Sequence, residues 1–459
     1  MQSIPMGSGR VLSVLATILP SPGPNSALAF GASHPFKMTC MKRCHPALLF
    51  LALAAAVPVS AATPGKIHRA DPTKPFAPLL LPSVQPAAQD FYDFTLGTVG
   101  PNFDTTDRLY VGQRVRLLLF AYNYAVSEAG AMDLTYDLTI EDPLGKKVNG
   151  ATGLVLRQGN ADNPQMIPFP ATFPVFSVKP GDPTGNYTFI VTVHDRAGGE
   201  DRELRRKITV IAFQSAPLPE KFNPNNWTTG YFAHPQPELA LPALTAIGGE
   251  IRALAAEKQA GAWPPTLGFY DALLADNPWL VPFFAKAMHQ ATGEDQRALV
   301  RVLGYALRRA EAPPAGLTKD DWAALAVARA AKWPDADAPL TDPSQLDLLW
   351  GRFFATGAFA PVQRILSTLE YHPYLGRMEE YKKSGRGPDS IPPEAMKELV
   401  LQSALWSFHA IGQQRPLVLQ YGEFILERQP LDDPSKLLLA QALGHEVRVA
   451  PGPNAPPAK

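Results

Sequence analysis

The sequence LDLLWGRFFATGAFAPVQRILSTL at residues 346–369 decides the architecture of the C-terminal half of the chain. Large apolar side chains recur in its first part at i, i+3, i+4, i+7 and i+8, the spacing that lines one face of an α-helix. These side chains are Leu346, Leu349, Trp350, Phe353 and Phe354. Asp342 and Pro343 predict the helix start, because an aspartate caps free N–H groups and a proline has none to lose. Gly357 predicts its end, where a residue without a Cβ atom suits a left-handed backbone.

A second helix follows this glycine and completes a helical hairpin. Pro361 predicts its start, and its apolar residues keep the helical spacing; they are Val362, Ile365, Leu366 and Leu369. Similar strings occur at residues 283–303, around Gly293, and at residues 405–426, around Gly412. Tandem helical pairs stack into solenoids that bury their apolar faces against one another, so we expect a helical-hairpin array. The alternative is that any two helices joined by a glycine look alike.

The composition predicts a globular protein with more than one core. The chain has 459 residues, 46% of them hydrophobic and 18% charged, which suffices for two domains. Its 42 basic side chains balance 42 acidic ones, and this balance gives no electrostatic case for nucleic-acid binding. The 48 prolines mark loops and linkers, gathering at residues 64–86, 215–242, 311–343, 388–393 and 451–457.

The N-terminal segment has the order of a secretory signal peptide. Basic residues after Met41 precede an apolar run at residues 47–57, and small residues lead up to Ala61, where we predict cleavage. The apolar run is too short to span a bilayer, so we expect no transmembrane segment in the mature chain. The sequence leaves open whether Met1 or Met41 is the true start.

Both cysteines, Cys40 and Cys44, lie in this leader. The mature chain would then have no disulfide, no thiolate nucleophile and no cysteine-ligated metal. An exported chain without cysteine favours the bacterial periplasm or secretion over a eukaryotic extracellular space.

The apolar pattern changes to a period of two from residue 91 onwards. The run at residues 114–124 carries apolar side chains at 115, 117 and 119, and residues 134–140 and 187–193 alternate apolar and polar side chains, as half-buried strands do. Turn signals separate about seven short strands of this kind, and no helical pattern interrupts them. We therefore predict an antiparallel β-sandwich at residues 91–214.

The string DPTGNYTF at residues 182–189 resembles the D-x-x-G-x-Y-x-C signature of immunoglobulin-like domains. The resemblance implies that Tyr187 packs at a corner and that its hydroxyl group caps the backbone, while Phe189 stands in place of the cysteine. It thus implies a disulfide-free, bacterial immunoglobulin-like module. The helical part is similar in style to tetratricopeptide-like arrays, and LLWGRFFATG at residues 348–357 is similar to strings in uncharacterised secreted bacterial proteins.

The predicted fold class is therefore multidomain β + α, an antiparallel immunoglobulin-like sandwich followed by an all-α helical-hairpin array. The predicted segments are a leader and signal peptide at 1–61, a proline-rich linker at 62–90, the sandwich at 91–214, a second linker at 215–238, the helical repeat-like domain at 239–443 and a disordered tail at 444–459.

Two groups of residues are candidates for binding. Asp195, Glu200 and Asp201 lie in one acidic loop between strands and could bind calcium through their carboxylate oxygens; the alternative is a solvated hairpin turn. The aromatic residues of the second linker could stack on a sugar ring, or they could fix the linker between the two domains; they are Trp227, Tyr231 and Phe232.

The sequence contains no motif that assigns an enzyme activity. It has no H-x-x-x-H or H-E-x-x-H zinc spacing, no G-x-S-x-G nucleophile elbow and no glycine-rich phosphate loop. We therefore predict no catalytic residue and no cofactor. The favoured hypothesis is an exported, non-enzymatic interaction scaffold of the bacterial envelope that binds a protein or glycan partner. The alternative is a hydrolase or carbohydrate-active protein with a site at the domain junction.

Overall fold

A computed structural model describes residues 68–96, 103–161, 166–256, 263–387 and 390–445. The predicted signal peptide, its cleavage position and both cysteines lie outside the described residues, as do residues 446–459 of the predicted tail.

Eight strands form two sheets in the N-terminal part. The strands are β1 (Ala77–Ser83), β2 (Arg108–Tyr110), β3 (Arg114–Tyr122), β4 (Ala131–Glu141), β5 (Lys147–Asn160), β6 (Val175–Ser177), β7 (Gly185–Asp195) and β8 (Glu200–Ile211). A three-stranded antiparallel sheet has the order β1-β3-β6, and a five-stranded sheet has the order β2-β8-β7-β4-β5. The second sheet is mixed, because β2 runs parallel to β8 while its other pairs are antiparallel.

The predicted immunoglobulin-like sandwich is therefore wrong. The five-stranded sheet is mixed, and β1 of the other sheet comes from the segment that we assigned to a linker. The reason is that a period of two reports which face of a strand is buried but not which strands pair. The local tyrosine motif is nevertheless present, since the Tyr187 hydroxyl donates to the Pro183 carbonyl at 2.9 Å.

Strand β3 is buried on both of its faces. Leu117 and Leu119 pack in a core that the two sheets share, together with residues such as Leu134 of β4. Leu118 and Phe120 point the other way and pack in a second, smaller cluster. This explains why the run 117–121 is continuously apolar rather than alternating.

Fourteen helices lie in the described part of the chain. They are α1 (Asp90–Asp93), α2 (Pro224–Gly230), α3 (Ala240–Ala256), α4 (Trp263–Asp276), α5 (Val281–Gln290), α6 (Gly293–Ala306), α7 (Lys319–Ala324), α8 (Ala326–Ala330), α9 (Pro343–Thr356), α10 (Phe359–Leu366), α11 (Arg377–Lys383), α12 (Pro393–Gln414), α13 (Pro416–Arg428) and α14 (Asp433–Leu443). Helix α2 thus lies within the second segment that we assigned to a linker. No helix among the described residues has both the length and the apolar character that crossing a membrane requires.

Helix α9 begins and ends where the sequence predicts. The Asp342 side chain accepts a hydrogen bond from the Ser344 amide, and the Gln345 side-chain oxygen accepts one from the Asp342 backbone amide, which completes a capping box. Gly357 follows the helix in the left-handed conformation, with φ of 69°. The next helix, α10, starts at Phe359, before Pro361.

The predicted hairpin array is wrong, because the three glycines do not have the same role. Gly293 opens α6 instead of ending a helix, and Gly412 lies inside α12. The closest packing joins α4 and α9, which are far apart in sequence. A Cβ atom on Gly268 would lie 2.0 Å from the carbonyl oxygen of Leu348, and one on Gly351 equally close to that of Pro265. The helices therefore surround a common core, whereas an array would pack nearest neighbours only.

The segment around α1 is one of the places where the strands and the helices contact each other. The Asp90 carboxylate accepts a hydrogen bond from the Phe359 amide at 2.8 Å, and so caps α10 from another part of the chain. The Phe94 ring stacks on the Phe359 ring with a centroid distance of 4.1 Å. The Gln85 amide donates to the Ala233 carbonyl at 3.1 Å. These contacts hold the beginning of α10 against the strand-bearing part.

Candidate functional site

A cleft of about 540 Å³ lies among α9, α10 and α13. Its volume falls within the range of pockets that bind ligands of drug size. The residues that line it are Asp337, Leu349, Arg352, Ala360, Pro361, Gln363, Arg364, Leu366, Ser367, Ile425, Gln429 and Leu431.

The cleft combines an aliphatic floor with a polar rim. Leu349, Leu366 and Ile425 are buried members of the helical core, so they present a fixed apolar surface. The exposed Gln363 lies on α10 and the half-buried Gln429 directly follows α13, and their side-chain amides form no hydrogen bond with any described residue. None of the described lining residues is aromatic.

Two of the three charged lining residues neutralise each other in an ion-pair network. Arg352 donates to Asp337 at 2.8 Å and to Asp271 at 2.9 Å, and Arg309 donates to Asp337 from the other side. The hydrogen bond from Arg352, with a further one from Arg309, lowers the pKa of Asp337 to about 2. Asp337 therefore stays ionised at neutral pH, and Arg352 has its charge compensated twice.

Arg364 is the charged lining residue without such a partner. Its guanidinium donates to the Ala338 carbonyl at 2.7 Å, and no carboxylate of the described chain lies within 4.0 Å of it. A guanidinium carries five N–H donors, so most of the donors of Arg364 remain available. The cleft thus offers one uncompensated positive charge beside an aliphatic floor.

The three acidic residues that we considered for calcium binding are paired with basic side chains. Asp195 is buried and accepts from the Ala125 amide at 2.9 Å, with Arg69 at 3.3 Å. Glu200 lies 2.7 Å from the same arginine, while Asp201 contacts His194. Burial raises the pKa of Asp195. The structure brings Asp195 and Glu200 together around an arginine, and the described residues contain no group of three or more potential metal ligands.

The three aromatic residues that we considered for sugar stacking are buried. Trp227 is 8% exposed, Tyr231 2% and Phe232 7%. Trp227 packs edge-on against Phe269 with a centroid distance of 5.2 Å, and Phe232 lies against Gly357, where a Cβ atom would come within 2.7 Å of its ring. Their positions favour the alternative interpretation, in which they fix this segment to the helices.

The junction of strands and helices contains a partly buried charge cluster. Arg116 of β3 lies 3.6 Å from Asp276 at the end of α4. Burial raises the pKa of Asp276 and also that of Asp90, and Arg116 opposes both shifts. One guanidinium nitrogen of Arg116 is buried without a hydrogen-bond partner. Each carboxylate has a structural partner, Asp276 in the arginine and Asp90 in the amide of Phe359.

The sequence analysis did not single out Arg364, Gln363 or Gln429. The first two lie on the polar side of a helix that we predicted, where glutamine and arginine are ordinary surface residues. No local sequence signal distinguishes these three residues. Whether their side chains lack a partner depends on which other side chains the fold brings close to them.

Comparisons with known proteins add little to this geometry. No protein-family model matches the chain, and no curated protein matches it. Among solved structures, it is similar to a family 123 glycoside hydrolase from Clostridium perfringens that was analysed for glycolipid glycan hydrolysis. The identity is 8%, the TM-score is 0.17, and the alignment covers 39% of this chain and 36% of that hydrolase. A likeness at this level carries no argument about fold or function.

Proposed function

We propose that this chain is an exported, non-enzymatic interaction scaffold of the bacterial envelope, and that it binds a protein partner in the cleft among α9, α10 and α13. The observation that carries the proposal is the combination of a fixed aliphatic floor with unpaired amide and guanidinium groups on the rim. Export rests on the sequence alone, through the basic, apolar and small-residue order that ends at Ala61.

The chemistry of the lining favours a protein partner over a glycan. Sugar-binding sites rely on aromatic faces that stack on the ring, and the described lining has none. Aliphatic side chains of a partner fit a floor of leucine and isoleucine, and burial of that surface supplies a favourable free energy.

Site-specific photo-crosslinking in the native host tests the proposal. Replacing Gln363 in the full chain by a benzophenone amino acid places the probe on the rim of the cleft. The same replacement at Gln290, which is exposed at the end of α5 and does not line the cleft, is the matched control.

We expect a discrete protein adduct from position 363 and none from position 290. The adduct should disappear when Leu431→Asp introduces a negative charge into the cleft. Equal labelling from both positions, or no adduct from position 363, would contradict the proposal.

One observation favours the alternative function, a hydrolase with its site at the junction. Asp90 and Asp276 both have raised pKa values near Arg116, and perturbed carboxyl groups are frequent in catalytic sites. A panel of chromogenic glycoside and ester substrates tests this alternative. It requires turnover by the intact chain and loss of turnover in both Asp90→Asn and Asp276→Asn.

A further inference from the structure

We infer that the cleft recognises an extended peptide segment that carries a carboxylate next to an aliphatic side chain, and that Arg364 binds this carboxylate. The inference rests on the proposed function and specifies the chemistry of the partner.

The first argument is the balance of charge in the cleft. Asp337 is bound by Arg352 and Arg309, so it has no capacity left to attract a cation or to neutralise Arg364. The net charge that an incoming group meets is therefore the single positive charge of Arg364. A guanidinium binds a carboxylate through two parallel N–H···O bonds, which fixes both the position and the orientation of the ligand.

The second argument is the position of Arg364. Its hydrogen bond to the Ala338 carbonyl holds the guanidinium in place and leaves the other donors available. The residue is half-buried, so water screens its charge less than it would screen a fully exposed arginine. Leu366, two residues along α10, belongs to the floor, so a carboxylate on Arg364 would have the aliphatic surface beside it.

The third argument separates a peptide from a small carboxylic acid. Gln363 on α10 and Gln429 directly after α13 present amides that have no hydrogen-bond partner among the described residues, and each amide offers a donor and an acceptor. Each peptide unit has one N–H donor and one C=O acceptor, so it can form hydrogen bonds with both glutamine amides. The hydrocarbon chain of a fatty acid has neither group. An extended segment lying between the two glutamines would meet both.

Fluorescence anisotropy with two labelled octapeptide pools tests the inference on the full mature chain. Both pools carry leucine, isoleucine or valine at a central position. One pool has aspartate or glutamate beside it, and the matched pool has asparagine or glutamine there. We expect the acidic pool to bind about tenfold more tightly, the order of one charge-assisted pair, and this preference to shrink as salt is added.

Three variants assign the preference to a residue. Arg364→Gln should abolish the difference between the pools, whereas Arg364→Lys should keep part of it because the charge is retained. Arg428→Gln is the control, since Arg428 is exposed on α13 and does not line the cleft. Circular dichroism melting curves confirm that the variants are folded.

The outcomes of this experiment and of the crosslinking separate the two proposals. Equal binding of both pools overturns the carboxylate inference and leaves the scaffold function in place. If neither pool binds but a protein adduct forms at position 363, the inference of an extended peptide ligand is overturned and the scaffold function is not. Failure of both pools and absence of the adduct overturn both proposals.

Discussion

Replacing Asp347 by asparagine should remove a penalty on stability that grows with pH. Asp347 lies in α9 next to the crossing with α4, and only 8% of it is exposed. Burial raises the pKa of its carboxyl group to about 8, and the charge of Asp342 adds to the shift. The folded protein therefore keeps this carboxyl group protonated at neutral pH.

The sign follows from comparing the proton uptake of the two states. The unfolded chain has an ordinary aspartate, with a pKa of 3.8, whereas the folded chain holds the proton up to about pH 8. Between these limits the folded state binds one more proton, so its stability falls as pH rises. The slope is about 1.4 kcal/mol per pH unit, and the full window of about four units sets a ceiling of roughly 6 kcal/mol.

Urea denaturation at several values between about pH 5 and about pH 8 measures this effect. The free energy of unfolding of Asp347→Asn should rise relative to the wild type by about 1.4 kcal/mol for each pH unit. Asp107→Asn, at an exposed position in the strand-bearing part, should follow the wild-type profile. Parallel profiles for Asp347→Asn and the wild type would refute the reasoning, whatever the offset between them.

Three further substitutions test the packing. Gly351→Ala should cost about 3 kcal/mol in the free energy of unfolding because its Cβ atom meets backbone of α4, whereas Gly249→Ala should gain about 0.5 kcal/mol because its Cβ atom meets only the Arg252 side chain, at an ordinary contact distance of 3.6 Å; urea titration compares them. Gly357→Val should cost more than Gly385→Val by calorimetry, since both force a left-handed valine but only the first also meets an aromatic ring. Asp90→Ala should cost about 1 to 2 kcal/mol by removing the cap of α10, and an unchanged melting curve would show that the cap is unimportant.

Local signals in the sequence were sufficient to predict helix ends, because helix caps depend on residues that are close together in the chain. Asp342 and Gly357 bound α9 as predicted, because a cap and a left-handed glycine act within one turn of the chain. A capping box also forms between Thr318 and Asp321 at the start of α7.

Long-range pairing could not be predicted from the same patterns. Nothing in the alternation of β2 indicates that it joins β8 in parallel. The glycines at 268 and 351 resemble those at 293 and 412, yet the first pair allows two helices to touch and the second pair does not share one role. A glycine can be required by a left-handed backbone conformation or by a neighbour that leaves no room for a Cβ atom. The sequence does not distinguish these two causes, and the fold does.

The pairing of charges in the candidate site could not be predicted from the sequence either. Arg352 and Arg364 lie on consecutive helices and look equivalent in the sequence, but Asp271 and Asp337 both bind the former. Arg364 is available for a partner because both aspartates pair with Arg352 instead. The sequence does not show which arginine they pair with.

The strand-bearing part contributes to the cleft although it supplies none of the described lining residues. Helix α10 forms one wall, and Ala358, the N-cap residue directly before it, has no side chain that could cap the helix. Asp90 provides this cap across the junction, and Phe94 stacks on the first residue of the helix. The direction of α10, and with it the placement of Arg364, therefore depends on contacts from both halves of the chain.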